Sequence, residues 1–425
     1  MKKLLSCVVA LMLLSSLVMG AGQSDAKPGS KVSLTFVDVM GSSARTQSLW
    51  EMIADFEKEN PNITISLISP PYEQAEQKLM LMLNAKEPID IVEVRAVNVK
   101  QFVNNGFLTN LEPWVQKWSD AKTLLPSLVG FMRAIDNTAY YVPSSTLSKA
   151  MFVRTDITKK LGISSQPKTV QELKDVCIRI TNASANQFGF AIRGKNQVSA
   201  FFDPFVFCNV PNIDPNNIYR LSDGQVAFTH PAVLQGLKDW VDLYERGAPP
   251  DSINWGWNEQ IQGFASGITP YLYQDPDTIP LLAEMQLTTD QYATFPMPVG
   301  STGKVYLNMG PGGPGIPSYS KNKEAAWKFI AFSLTPERNA KMNKVYGALP
   351  VHSVSYEKDP YFGEGVYKAY ATQFSDPARY PVVQYPWDSP KSPGWRQIHD
   401  ADMQAVLLHK MSPEDAVAKW AAYWK

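Results

Sequence analysis

Between residues 32 and 106 the apolar positions switch back and forth between the two-residue period of a strand and the 3.6-residue period of a helix, a pattern few folds accept. Val32–Val39 (VSLTFVDV) alternates and is β-branched, so it reads as a strand. Leu49, Met52, Ile53 and Phe56 follow at helical spacing, and Asn60–Pro61 breaks that helix. ITISLI (63–68) is a second strand. Residues 73–84 form a helix with Ala75, Leu79, Met82 and Leu83 on one side, and IDIVEV (89–94) is a third strand. Val99, Phe102 and Val103 make a short helix closed by Gly106, because a left-handed residue after a helix suits glycine. Strand, helix, strand, helix, strand implies an α/β fold built on a parallel sheet wrapped by helices.

The same grammar resumes downstream. KAMFVR (149–154) reads as a strand, and Thr169-Val-Gln-Glu172 is a capping box ahead of Leu173, Val176 and Ile180 on one helix face. Thr335-Pro336-Glu337 and Ser412-Pro413-Glu414 each set a capping hydroxyl before a proline at the first helical position. At 425 residues the chain exceeds one ordinary core and suits two domains.

The N-terminus has a different character. Lys2 and Lys3 precede the apolar stretch Leu4–Met19, which is shorter than the roughly 20 residues of a membrane span. Gly20 and Ala21 are small, as a signal peptidase requires. Residues 1–22 therefore read as a secretory signal peptide and 23–30 as a flexible leader. Cys7 lies inside the apolar stretch, so no lipid-anchoring cysteine stands at the cleavage point, and the expected location is exported and periplasmic. Cys177 and Cys208 remain after cleavage; the compartment permits a disulfide, and two buried thiols fit equally well.

Lys+Arg and Asp+Glu number 40 each, which argues against a broad nucleic-acid footprint. No motif makes a positive case for catalysis. GPGGPG (310–315) lacks the following Gly-Lys-Ser/Thr of a phosphate loop, and its prolines remove N–H donors; it reads as a hinge or a place of close backbone approach. GFASG (263–267) has the wrong spacing for a nucleophile elbow. The histidines at 230, 352, 399 and 409 form no triad, and no Cys–His metal spacing exists, so no catalytic residue, metal or cofactor is expected. The aromatics stand out instead. Trp255 and Trp257 flank a glycine in NWGWNE, where an extended backbone would put both rings on one side. Trp387 and Trp395 lie in the proline-rich QYPWDSPKSPGWRQ.

An ordered set of segments carries a family resemblance: FEKENPNITI (56–65), PIDIVEVRAVNVKQFVNNGFLTNLEP (88–113), YYVPSSTLSKAMFVRTDITKKLGIS (140–164), FASGITPYLYQDP (264–276), KNKEAAWKFIAFSLTPERNAKM (321–342), GALPVHS (347–353) and SPEDAVAKW (412–420). Together they resemble the extracellular solute-binding protein family 1, sugar-type substrate-binding components of ABC importers. The resemblance implies a two-lobe periplasmic-binding-protein architecture with mostly parallel sheets and a ligand cleft between the lobes. Carried over, lobe one spans 31–141 and 309–350, and lobe two spans 142–308 and 351–425. The chain would cross between them near YYVPSS, NMGPGG and ALPVHS.

The resemblance also implies a set of cleft residues. The loop after the first strand offers Ser42, Ser43 and Arg45, and the segment at the second helix offers Tyr72 and Gln74. Glu93 and Arg95 follow PIDIV, and Ser144 lies in the first crossing. Asn254, Trp255 and Trp257 precede FASG, with one ring in the cleft and the other packed behind it. Gln274 and Asp275 follow, although Ile268–Thr269–Pro270 departs from the family's usual continuation there. Gly312, Gly313, Trp387 and Trp395 complete the set. The implied function is capture of a mono- or oligosaccharide by ring stacking and polar contacts, with delivery to a membrane ABC permease by a monomer that binds no nucleic acid. A non-sugar solute (polyamine, amino-acid derivative or glycerol phosphodiester) is the alternative, and a secreted glycan-acting enzyme with paired carboxylates is the remote one.

Overall fold

The computed structural model describes residues 31–387 and 389–425, so the expected signal peptide and leader lie outside the described residues. The first sheet follows the alternation closely. β1 (Val32–Val37) pairs in parallel with β2 (Ile63–Ile68) and with β3 (Ile91–Arg95). Helices α1 (Ser43–Glu59), α2 (Tyr72–Asn84) and α3 (Val99–Asn104) connect and follow them, and Gly106 takes a left-handed φ of 67° after α3. Leu49, Met52, Ile53 and Phe56 all face inward from α1, and Phe56 meets Phe329 edge-on at 5.2 Å between centroids.

The fourth strand of this sheet comes from far downstream. Gly312–Gly315 runs antiparallel along β3, with Gly312 opposite Arg95. GPGGPG is thus largely a buried edge strand, and the glycines at 312, 313 and 315 serve packing. A Cβ on Gly313 would sit 1.9 Å from the Val142 carbonyl oxygen and 2.7 Å from the Ser144 nitrogen.

The second sheet differs in sense. β4 (Ala150–Val153) lies between Tyr271–Gln274 and Ala293–Phe295 and runs antiparallel to both. The expectation of mostly parallel sheets holds for the first three strands of sheet one; here β4 is inserted between two strands that share a direction and are joined through the helix Thr278–Glu284. The packing core around this sheet is dense in aromatic rings, Phe190, Phe205, Trp240 and Tyr273 among them.

Two of the three expected capping motifs form. Thr169 Oγ1 accepts from Glu172 N, while the Glu172 carboxylate accepts from Lys168 N, one residue before the cap. Ser412 Oγ accepts from Asp415 N. Thr335 does not cap: its hydroxyl is buried without a partner among the described residues. Cys177 and Cys208 are buried free thiols.

The three segments expected to cross between lobes lie side by side. Ser144 N donates to Gly312 O at 2.8 Å, and Thr146 and Leu349 exchange N–H···O bonds at 3.1 Å each way. The Asn339 and Asn343 side-chain amides both donate to Ser144 O, at 2.6 and 3.0 Å. A hydrogen-bonded seam therefore connects two α/β bodies, and the cleft opens beside it.

Candidate ligand-binding cleft

Three contiguous cavities of about 120, 330 and 370 Å³ line up where the two bodies face each other. One wall is Met40, Ser42, Tyr72, Glu76, Arg95 and Tyr346; the other carries Lys149, Arg193, Gln197, Trp257, Asp275 and Trp387. The first wall lies beyond the carboxyl ends of β1 and β3, where open α/β sheets bind ligands.

The two tryptophans of NWGWNE separate. Trp255 is 8% exposed, packs with Phe264 and Ile261, and its Nε1 donates to Asp251 at 3.1 Å. Trp257 opens the helix Trp257–Ala265 and lines two of the cavities. Gly256 N donates to the Glu259 carboxylate at 2.7 Å, which turns the chain into that helix. The shared face of an extended strand is therefore absent, because the backbone bends at Gly256.

Trp387 and Trp395 separate in the same way. Trp387 lines the smallest cavity, stacks on Tyr385 with centroids 5.2 Å apart, and packs against the cores of both bodies. Trp395 reaches the edge of that cavity but is 4% exposed, and its Nε1 donates to Tyr219 Oη at 2.7 Å. Tyr219 in turn donates to the buried Asp203 at 2.9 Å. Burial pushes the Asp203 carboxyl up to about 8, against the pull of its tyrosine donors.

Several expected residues stand behind the cleft. Arg45 is buried, donating through Nε to Asp38 at 3.0 Å and through Nη2 to Glu93 at 2.9 Å. Burial opposes its charge, but the two carboxylates more than offset that, and its pKa is raised. Its guanidinium lies 5.1 Å from the ring centroid of Tyr346, which does line the cleft. Burial, eased by Arg45, pushes Glu93 up to about 7. Ser144 belongs to the seam, and Gly313 packs against it. Ser43, Gln74 and Asn254 are exposed and line none of the three cavities. The cleft face is held by near neighbours instead: Ser42 beside Ser43, Tyr72 and Glu76 on either side of Gln74, Arg95 two positions after Glu93, Gly312 beside Gly313 and Trp257 three after Asn254.

Ser42, Tyr72, Arg95, Trp257, Gln274, Asp275, Gly312 and Trp387 come together in the cavities. Arg95 pairs with Glu76, and Lys149 with Asp275 at 3.1 Å. Gln274 is fully buried and shares its amide with Gln260 at 3.4 Å. Burial and then the Asp275 charge push Asp277 up to about 7, against Lys149. Sequence reasoning missed Lys149, Arg193, Gln197, Asp277, Tyr346 and Arg396. RGKNQVS (193–199) gave a usable signal, since a Gly-Lys-Asn-Gln run between apolar segments marks a surface loop.

Two α/β bodies around a seam, with a polar and aromatic cleft between them, define a two-lobed substrate-binding protein. The sequence model of the bacterial extracellular solute-binding protein family matches residues 41–340, and the chain belongs to that family. It is 26% identical over 388 residues to a binding protein of Brucella abortus (strain 2308), covering 89% of each chain. It is 26% identical over 373 residues to the arabinooligosaccharide-binding protein of Bacillus subtilis (strain 168), covering 83% of this chain and 81% of that one. The solved structure of maltose-bound T. maritima MalE3 matches with a TM-score of 0.79 at 19% identity, over 92% of this chain and 99% of that one. Membership places the chain among substrate-binding proteins rather than enzymes, which sets the glycan-acting alternative aside. No helix among the described residues is long and apolar enough to cross a membrane.

Proposed function

We propose that the chain is the exported solute-capturing component of an ABC importer and that its solute is a carbohydrate. The observation that carries this reading is the pairing of charge in the cleft. Arg95 pairs with Glu76, Lys149 with Asp275 and Lys195 with Glu259 at 3.7 Å, and Arg193, Arg396, Asp277 and Asp400 also line it. A wall of matched charge suits a neutral ligand with many hydroxyls better than a polyamine or a phosphodiester. Trp257 and Trp387 offer ring faces for the apolar C–H surface of a sugar. The names of relatives that bind arabinooligosaccharide and maltose support the same class.

In this reading residues 31–141 with 309–350 form lobe one, and 142–308 with 351–425 form lobe two. Ligand contacts to both lobes favour the closed state, and the closed monomer presents the solute to a membrane permease. A signal peptide over residues 1–22 directs export, and the protein binds no nucleic acid.

A thermal-shift screen of the mature protein against mono- and oligosaccharides, polyols, polyamines, amino acids and phosphodiesters tests it. A ligand at 100 times its Kd adds about 2.7 kcal/mol of stability. A shift confined to one carbohydrate class, with the sugar recovered unchanged, is the expected result. A shift with polyamines or phosphodiesters alone would sink the carbohydrate assignment.

A further inference from the structure

Among the described residues, Arg95 and Gln197 are the two that line all three cavities, one from each wall of the cleft. Gln197 has an unusual backbone. Asn196 and Gln197 are consecutive left-handed residues, with φ of 57° and 65°. Asparagine tolerates that region; glutamine adopts it at a cost, because its Cβ crowds the following carbonyl. Two buried or half-buried charges hold the strained pair in place. The Asp400 carboxylate accepts from Gln197 N at 3.1 Å through one oxygen and from Val198 N at 2.9 Å through the other. Arg193 Nε donates to the carbonyls of Lys195 and Asn196 at 3.0 and 2.9 Å, while its Nη1 donates to Gln260 at 3.2 Å. Strain of this kind persists where the surroundings over-determine it, and it concentrates at ligand clamps.

We infer that Gln197 is a ligand-contacting, specificity-determining residue, presented to the solute by a clamp in which Asp400 and Arg193 are positioning residues. This deepens the solute-binding reading and rests on it. Among the described residues Gln197 is the one uncharged residue common to all three cavities, and its primary amide offers donors and an acceptor together. It matches the adjacent hydroxyls of a neutral polyol or sugar, which also donate and accept. A glycine at this position would relieve the backbone strain, so the presence of glutamine points to use of its side chain.

Isothermal titration of wild type, Gln197→Ala, Gln197→Gly, Asp400→Ala and the Gln197→Gly/Asp400→Ala pair tests the inference. The probe is whichever of maltose, arabinotriose, mannitol, spermidine and glycerophosphocholine gives the largest wild-type thermal shift. The expected result is at least a tenfold loss of affinity in Gln197→Gly, with a melting temperature equal to or above wild type. Asp400→Ala should weaken binding alone and add little in the Gln197→Gly background, because it acts through the glutamine side chain. A purely structural Asp400 would weaken both backgrounds equally and overturn the clamp. Wild-type affinity in both Gln197 variants would overturn the inference while leaving the carbohydrate reading intact. Binding of spermidine or glycerophosphocholine alone, lost in Gln197→Gly, would uphold the inference and overturn the carbohydrate reading. A wild type that binds none of the five overturns both.

Discussion

Trp255 and Trp257 stand two positions apart and belong to different layers: Trp255 is packed into the core with its N–H on Asp251, and Trp257 faces the cleft. The ring edge of Trp255 also fills the space beside Gly263, where a Cβ would come within 2.6 Å of it. Their alanine variants should therefore fail in different assays. Trp255→Ala empties a tight core site and should cost about 3–5 kcal/mol of stability. Trp257→Ala should leave the melting temperature of the empty protein within a degree or two and weaken ligand binding about tenfold. Urea unfolding and titration calorimetry on the two variants check this, and a reversal of the two phenotypes would put the wrong ring in the cleft.

The seam between the bodies makes its own demand on Gly313. A methyl group there meets backbone atoms of Val142 and Ser144, which cannot rotate away. Gly313→Ala should destabilise the protein by more than about 3 kcal/mol or prevent its accumulation. Gly310 is the control: a Cβ there would meet nothing within 4 Å, and Gly310→Ala should be near neutral. Equal thermal stability of the two variants would mean that the crossing segments yield more easily than their packing implies.

The buried Asp38–Arg45–Glu93 group holds two carboxylates against one guanidinium. Removing the cation with Arg45→Met should cost about 3–5 kcal/mol, because both acids lose their partner inside the protein. The excess acid gives a pH signature. Burial raises Glu93 from an ordinary 4.5 to about 7, so between those values the folded chain holds a proton that the unfolded chain has released. Stability from this group is full below about 4.5 and declines as pH rises through about 7. Glu93→Gln removes that decline, and the variant should gain on wild type between pH 5 and pH 7.5 in urea titrations. A variant that instead loses ground over this interval would show that Arg45 needs both carboxylates ionised.

Much of the fold was legible because period and punctuation coincide. Leu49, Met52, Ile53 and Phe56 keep the helical period of α1, and Asn60–Pro61 and Gly106 each mark a boundary that the backbone obeys. The antiparallel edge strand Gly312–Gly315 was not legible, since glycine and proline carry no strand propensity and its pairing with β3 is set from across the chain. In the cleft, strand ends located the right loops, but Arg45 and Glu93 turned inward to each other while Arg95 faced out. Charge complementarity between residues 48 apart in the chain decides that, and a single sequence does not display it. Gln197 was missed for a related reason: its prominence comes from Asp400, which lies on the helix Ser392–Leu407, 203 residues further along the chain.

His399 supplies a prediction at acid pH. Its ring is fully buried among Phe202, Trp395 and Trp420, with centroids 5.5, 5.1 and 4.6 Å away, and neither nitrogen has a hydrogen-bond partner among the described residues. Burial lowers its pKa from 6.5 to about 3. The unfolded chain therefore takes up a proton that the folded chain refuses over the interval between those values. Folding stability from this site is full above about 6.5 and falls by roughly 1.4 kcal/mol per pH unit below it. Because His399 lies on the helix that carries Trp395 and Arg396 to the cleft, acid should loosen that wall early. His399→Phe keeps a ring in the cage and removes the titrating nitrogens, so its unfolding free energy should fall less than that of wild type between pH 6.5 and pH 4. Chemical denaturation of both proteins across that range is the check. Parallel pH profiles would mean that the ring finds a proton partner on acidification, and that the cage is less dry than its aromatic walls imply.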